Sequence, residues 1–425
     1  MSSRLVTRSR LLLWGGFAAL AFCLPLVFKS GFLVSLLCQM GIMVVFALSY
    51  NMLLGQTGLL SFGHAVYYGL GAFATMHALN AIGKGGSPLV TAMLPLVGGL
   101  AGLLAGILLG YVTTRKAGTT FAMITLGIGE MVAACSLMFP GIFGGEGGVS
   151  GNRVIGKESF LGFTWGPQVE MYGLIVIWAF VCTVAMFALT QTPLGRMANA
   201  VRDNPERAEF VGYDTERVRF LMVVLSALFA GIAGGLSALN YEIVTAETLN
   251  AHTSGVVLLM TFVGGIGFFY GPIIGAILIT VMQIVIGGMT HAWLLYFGLF
   301  FLFMVLMAPG GIASVIAVQR NLWTAGLFGR VLPHYLATAL PVAILLAGLV
   351  GLVELSYALL AGDAGVGAGD TATKVMGMQL QLRSPGPWLA ALAITAVGLV
   401  LTRWIGGRAS LAWNAALSTL HGDKT

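Results

Sequence analysis

The chain has 425 residues, 58% of them hydrophobic and only 8% charged, with 60 glycines and a formal net charge of +6; its mean hydropathy is +0.94. An ordinary soluble domain carries roughly 25% charged residues, so a soluble enzyme or binding module is excluded and an all-α polytopic membrane protein is expected. The 21 Lys and Arg are scattered between apolar stretches and form no basic block, which excludes a nucleic-acid partner and leaves the positive charge to report topology.

A helix of roughly 20 apolar residues crosses a bilayer core of about 30 Å. The first such run, Leu11 to Phe28, follows Arg4, Arg8 and Arg10. It has no small-x-small cleavage pattern before Lys29 and Ser30, so it reads as a retained anchor and not as a secretory signal. Further runs are Leu33 to Leu54, Gly58 to Leu79, Pro88 to Thr113, Thr119 to Phe139, Tyr172 to Leu189, Phe220 to Leu239 and Gly255 to Met307, then Leu336 to Leu360 and Trp388 to Leu401. Gly255 to Met307 is long enough for about three crossings. Within it, Gly264, Gly265, Gly267, Gly271, Pro272 and Gly275 suit a broken helix, a tight turn or close helix packing. The expectation is about twelve crossings, about ten before Ala308 and about two after it. Residues 1–310 then form a core of broken or Gly-rich helices, and residues 311–425 a cytoplasmic loop followed by a two-helix C-terminal extension.

Lys and Arg accumulate in cytoplasmic loops. With the N-terminus inside, Lys29, Lys84, Arg153, Lys157, Lys374 and Arg383 fall outside, and the other fifteen, among them Arg115, Arg202, Arg217, Arg320, Arg330 and Lys424, fall inside. That bias predicts a multi-pass protein with a cytoplasmic N-terminus.

Polar groups interrupt the apolar runs at a few places. "GQTGLLSFGHA" brings Gly55, Gln56, Thr57, Gly58, Ser61, Gly63 and His64 together between two runs. Glycine permits a sharp change of backbone direction, and the polar side chains can hydrogen-bond within a bundle or to a passing solute. Glu130 falls inside Thr119 to Phe139, where an ionisable group is costly and a functional candidate by default. It faces an aqueous cavity, contacts the amine of a solute, or is protonated and hydrogen-bonded to a neighbouring helix. "FGGEGGVSGNR" supplies Gly145, Gly148, Ser150 and Gly151 on the outer face, to shape an entrance or meet a binding protein, or as a flexible loop. "GNRVIGKE" mimics a nucleotide-binding loop but has Glu158 where Ser or Thr must hold magnesium, so ATP belongs to another chain. Cys23, Cys38, Cys135 and Cys182 lie in apolar runs with no ligand-spaced pair. Neither a disulfide framework, a metal site nor a cofactor is expected.

"TPLGRMANAVRDNPERAEFVGYDTERVRF", Thr192 to Phe220, departs from this background: ten of the 36 charged residues lie in it. Asn204 is a good N-cap, Pro205 suits the first helical position, and Glu206 sits at the positive end of the helix dipole. Gly212 can end the helix in a left-handed conformation. The pattern specifies a short helix from about Pro205 to Val211, after another with Leu194, Met197 and Val201 on one face. A capped, exposed helix has the form used in helix-in-groove recognition; the bland alternative is a solvated loop that enforces topology.

"ANAVRDNPERAEFVGYD" resembles the coupling segment of branched-chain amino-acid ABC-importer permeases. "YNMLLGQTGLLSFGHAVYYGLGAF", "FAMITLGIGEMV" and "GGEGGVSGN" are similar to the same family in the same order, and together they cover roughly residues 33 to 310. The resemblance implies a permease subunit of a bacterial inner membrane that forms the translocation pathway and hydrolyses nothing itself. It assigns ATPase coupling to Arg202, Asp203, Asn204, Pro205, Glu206, Ala208 and Gly212, within a segment 192–219. Adjacent small residues follow the Glu in the broader importer pattern, whereas this chain reads Glu206, Arg207, Ala208. It places Gly55, Gln56, Gly58, Ser61, Gly63, His64 and Glu130 near the path. It implies ATPase subunits, a second related permease and a periplasmic solute-binding protein as partners, beside membrane lipid. Branched-chain amino acids are the expected solutes, with urea, short amides or other amino acids as alternatives. An ion-coupled transporter using Glu130 and His64 as a relay leaves the charged segment unexplained. A membrane-embedded enzyme lacks His-Glu-x-x-His, paired carboxylates or a Ser-His arrangement.

Overall fold

A computed structural model describes residues 8–27, 30–83, 88–154, 163–290, 292–326, 328–363, 372–375, 378–381 and 384–422. Arg4, Lys29, Lys84, Lys157, Arg383 and Lys424 of the charge count lie outside these, as do residues 155–158 of the nucleotide-loop mimic. The helices in chain order are α1 (Arg8–Val27), α2 (Gly31–Thr57), α3 (His64–Ile82), α4 (Pro88–Thr113), α5 (Gly118–Met138), α6 (Pro140–Phe143), α7 (Gln168–Gln191), α8 (Pro193–Asp203), α9 (Pro205–Phe210), α10 (Thr215–Tyr241), α11 (Ala251–Gly264), α12 (Gly271–Val281), α13 (Gly287–Met289), α14 (Trp293–Met307), α15 (Gly311–Thr324), α16 (Phe328–Asp363) and α17 (Pro385–Gly422). Four short strands form two antiparallel pairs: β1 (Val149–Ser150) with β2 (Ile243–Val244), and β3 (Ala372–Val375) with β4 (Met378–Gln381).

Among the described residues, eight helices are long and apolar enough to cross a membrane, or nine if α14 and α15, bent by 47° at their break, make one span. The all-α polytopic class is as expected, with fewer long spans than the apolar runs suggest. The run from Gly58 starts its helix only at His64, and α11, of 14 residues, is short. Gly255 to Met307 is divided by a turn over residues 265–270. Its glycines serve both a turn and close packing. Gly265 has φ +115°, while a Cβ on Gly264 would strike Gly271, and one on Gly275 would strike the Met260 carbonyl.

The chain divides into two compact units, Met1–Ile286 with Phe301–Ser314, and Gly287–Phe300 with Val315–Thr425. The first is built around α10, whose small residues let backbones meet. A Cβ on Gly231 would strike the Gly98 carbonyl, one on Gly234 the Tyr68 carbonyl, and one on Gly102 the Ala227 carbonyl. In lipid, where water expulsion supplies little drive between helices, such close approach is what holds them. Buried hydroxyls add cross-links. Ser226 Oγ donates to the Ser49 carbonyl at 2.6 Å and Thr261 Oγ1 to the Ala47 carbonyl at 3.3 Å.

In the second unit α16 and α17 pair antiparallel. Gly348 lies against Thr395 and Gly398 against Leu345, so the register reverses along the pair. Glu354 accepts from the Tyr296 hydroxyl at 2.8 Å. The four cysteines are free thiols.

Candidate functional site

The charged segment is three capped turns in series. Thr192 accepts from the Gly195 amide at 3.3 Å to start α8, Asn204 from the Arg207 amide at 2.9 Å to start α9, and Asp214 from the Arg217 amide at 3.0 Å to start α10. Pro193 and Pro205 each occupy a first-turn position, where their missing N–H costs nothing. Gly212 has φ +94°; its amide donates to the Glu209 carbonyl at 2.8 Å and the Tyr213 amide to the Ala208 carbonyl at 3.0 Å. A left-handed glycine thus ends α9 as its position predicts.

The two faces of this segment differ. Gly195, Ala198, Val201 and Ala208 are buried, with Leu194 and Met197 half-buried beside them. Arg202, which the resemblance assigns to coupling, keeps its side chain 35% exposed but reaches back to the end of α2. Its Nη1 donates to the Gly55 carbonyl, its Nη2 pairs with Asp203 at 2.9 Å, and its stem lies against Gly58. Outward lie Pro205, Glu206, Arg207 and Gly212, with Phe210 91% and Val211 70% exposed. Sequence reasoning missed Phe210 and Val211; the signal was two large apolar side chains in a segment otherwise written in charges.

Arg202 leads to the second candidate group. α2 ends at Thr57, and Gly58, at φ +70°, reverses the chain with its amide on the Leu53 and Leu54 carbonyls. Gly55 is buried where a side chain would strike Asn51 and the Ile266 carbonyl. The Tyr50 hydroxyl donates to the Ser61 carbonyl at 2.9 Å, and the Phe62 amide to Thr125 Oγ1 at 3.2 Å, with Gly63 against the Thr125 carbonyl. His64 is fully buried. Its Nε2 lies 3.0 Å from Ser49 Oγ, Phe46 stacks on its ring at 5.6 Å, and Tyr50 and Tyr67 meet it edge-on. Nδ1 of His64, Oδ1 of Asn51 and Oε1 of Gln56 are buried with no partner among the described residues. The motif therefore joins α2, α3 and α5, and the His64 ring is enclosed by aromatic side chains.

α5 turns Phe121, Ala122, Thr125 and Gly129 inward and Glu130 outward. Glu130 is exposed and lines an open hollow of about 550 Å³ with Ala133, Leu137, Glu146, Glu247 and Asn250. Of the sequence alternatives, the structure shows no hydrogen bond from Glu130 to a neighbouring helix among the described residues; the carboxylate faces open space.

Beside that hollow, the Gly-rich loop is tied down. Gly144, Gly145 and Gly148 all have positive φ, and a Cβ on Gly148 would strike the Val244 carbonyl. Val149 pairs with Val244 and Ser150 with Ile243. The Ser150 carbonyl accepts from Asn80 Nδ2 at 2.9 Å, and the Gly151 amide donates to the Glu242 carbonyl at 3.0 Å. Arg153, counted in the sequence only as a topology charge, fastens the loop. Its guanidinium donates to the Trp165, Leu239, Asn240 and Gly166 carbonyls at 2.7 to 3.2 Å, and its amide to Glu242 Oε1 at 2.8 Å. Two of those carbonyls belong to the last turn of α10, where cations are favoured. Among the described residues no group of His, Cys, Asp or Glu is placed to hold a metal ion.

Residues 32–309 match the model of a family described as "Branched-chain amino acid transport system / permease component". The chain is 27% identical over 301 residues to the high-affinity branched-chain amino acid transport system permease protein LivM of Escherichia coli (strain K12), covering 66% of this chain and 70% of that one. It is 24% identical over 254 residues to the probable branched-chain amino acid transport permease protein LivH of Methanocaldococcus jannaschii, covering 57% and 76%. It is also 27% identical over 208 residues to the fructose import permease protein FrcC of Rhizobium meliloti, covering 45% and 55%. No solved structure matches the chain.

Proposed function

The chain belongs to the family of branched-chain amino acid transport system permease components, and from that premise we propose that it is the inner-membrane subunit through which an ATP-driven importer passes branched-chain amino acids. It is a multi-pass transport subunit and not an enzyme. In this reading the α8–α9 segment lies in the cytoplasm, on the same side as the N-terminus, and a separate ATPase grips its outer face. The observation that carries the reading is the split of that segment. Glu206, Phe210 and Val211 stand out from the protein, while Arg202 holds the carbonyl at the end of α2. A pull on α9 is thereby delivered to the α2–α3 reversal, and through Phe62 and Thr125 to α5, the helix that carries Glu130.

Glu130, Glu146 and Glu247 around the hollow repel anions and attract the amine of an amino acid. A second related permease covers the exposed face of α5, a solute-binding protein meets the loop at Gly145, Gly148, Ser150 and Gly151, and no cofactor is required. The names of the relatives favour leucine, isoleucine or valine as solute; a fructose permease among them keeps the choice of solute with the binding protein.

The test is uptake of labelled leucine by proteoliposomes holding this chain with its permease, ATPase and binding-protein partners, driven by ATP or by an imposed proton gradient. Uptake that needs ATP and the binding protein supports the reading. Uptake on the gradient alone replaces it with ion coupling.

A further inference from the structure

Residues beyond 309 lie outside the family match, and the second unit holds a feature that the proposed function leaves unassigned. Ile316, Gln319, Arg320 and Trp323 follow the i, i+3, i+4, i+7 spacing of one helix face on α15. With Phe328 and Tyr335 of α16 they line an open hollow of about 510 Å³. Its floor is packed: Leu322 and Val331 are fully buried against Val318 and Tyr335.

Three observations say what fills it. Arg320 is exposed and makes no ion pair among the described residues. No Asp or Glu occurs in the chain between Glu247 and Glu354, so neither α15 nor the start of α16 carries a carboxylate to neutralise this guanidinium. Next, Gln319 donates its amide to the Tyr335 hydroxyl at 2.9 Å, but its Oε1 is buried with no partner among the described residues. That oxygen needs a donor, since a buried acceptor left unmade costs about 1–3 kcal/mol. Finally, the hollow lies at the start of Val331–Leu360, a stretch long and apolar enough to cross a membrane, which puts it at one end of that span. Trp323, 70% exposed and stacked on Phe328 at 5.2 Å, has the amphipathic ring enriched at that depth.

We propose that this hollow holds the headgroup of a membrane phospholipid that carries a hydrogen-bond donor beside its phosphate. Arg320 takes the phosphodiester, and Gln319, which lines the hollow, turns its amide so that Oε1 accepts from an ethanolamine ammonium or a glycerol hydroxyl. The Trp323–Phe328 stack lies along the glycerol and upper acyl chain. The site is independent of the transported solute and of any ATPase.

The test is native mass spectrometry of the full chain in mild detergent, with equal amounts of phosphatidylglycerol, phosphatidylethanolamine and phosphatidylcholine. The wild-type protein retains the first two over the choline lipid. Arg320→Gln lowers retention of all three about fivefold, the worth of one basic residue at a lipid surface, and Arg320→Lys keeps most of it. Gln319→Leu erases the preference over choline and leaves the remaining retention in place. Circular dichroism and elution volume verify that each variant is folded. Equal retention by Arg320→Gln and wild type overturns the proposal. So does displacement of the lipid by inorganic phosphate or glycerophosphoglycerol, which would make the hollow a free-anion site.

Discussion

α10 has a polar connection at each end, and the two are built from similar parts to opposite ends. At 27 residues and 1.5 Å each, the helix separates them by about 40 Å. At its start, the α8–α9 segment uses caps and a left-handed Gly212 to hold a short helix with Glu206, Phe210 and Val211 outward. At its finish, the Gly144–Arg153 loop uses left-handed glycines and β1–β2 pairing to draw Arg153 inward, onto four carbonyls. Charge and glycine alone do not distinguish a docking surface from an anchor. What distinguishes them is whether the donors and acceptors are already satisfied: the Arg153 guanidinium is spent on carbonyls, whereas the exposed Glu206 carboxylate makes no hydrogen bond or ion pair among the described residues.

The sharpest way to break the comparison is Arg153→Met. It leaves buried carbonyls without donors and frees the loop, and the expected loss is about 3 kcal/mol or more, read as a fall in melting temperature and in folded yield from membranes. Next comes replacement of Glu206 together with Gly212→Val. A β-branched residue in a left-handed conformation costs about 1–3 kcal/mol locally. The expected outcome is normal membrane insertion with ATP hydrolysis continuing and uptake lost; normal transport by this double variant would remove α9 from the coupling path. Arg202→Met tests the link between the faces. Uptake per ATP should fall while the unfolding free energy drops by about 1 kcal/mol or less, the net worth of one hydrogen bond, and Arg202→Lys should recover part of the uptake. The smallest effect is Glu130→Gln. An exposed carboxylate that meets an amine contributes on the order of 1 kcal/mol, so the half-saturating leucine concentration should rise a few-fold with stability unchanged.

The parts of this account that were legible in the sequence are local. Asn204, Pro205 and Gly212 act through their own backbone and the next turn, so their order alone specifies α9. The many glycines likewise pointed to close helix packing, although which pairs meet, such as Gly231 on Gly98, depends on a register that composition does not carry. Arg202 reaching Gly55 spans 147 positions, and Arg153 reaching Leu239 spans 86; nothing near either residue signals its target. His64 stands out in the sequence as a polar group between apolar runs, yet its surroundings are Phe46, Tyr50 and Tyr67, a grouping that depends on how α2 packs on α3. At 265–270 glycine permits a broken helix, a turn or close packing alike, so local sequence does not choose among them.

The most direct test of the central claim uses only the exposed face of α9. Glu206→Lys with Phe210→Ser changes surface side chains, so stability should stay within about 0.5 kcal/mol. In the reconstituted importer, leucine taken up and ATP hydrolysed are measured together for this variant and the wild type. The account predicts an intact, folded permease in which uptake per ATP collapses. Uptake per ATP equal to wild type would mean that nothing grips α9 there, and that the segment is a solvated connection.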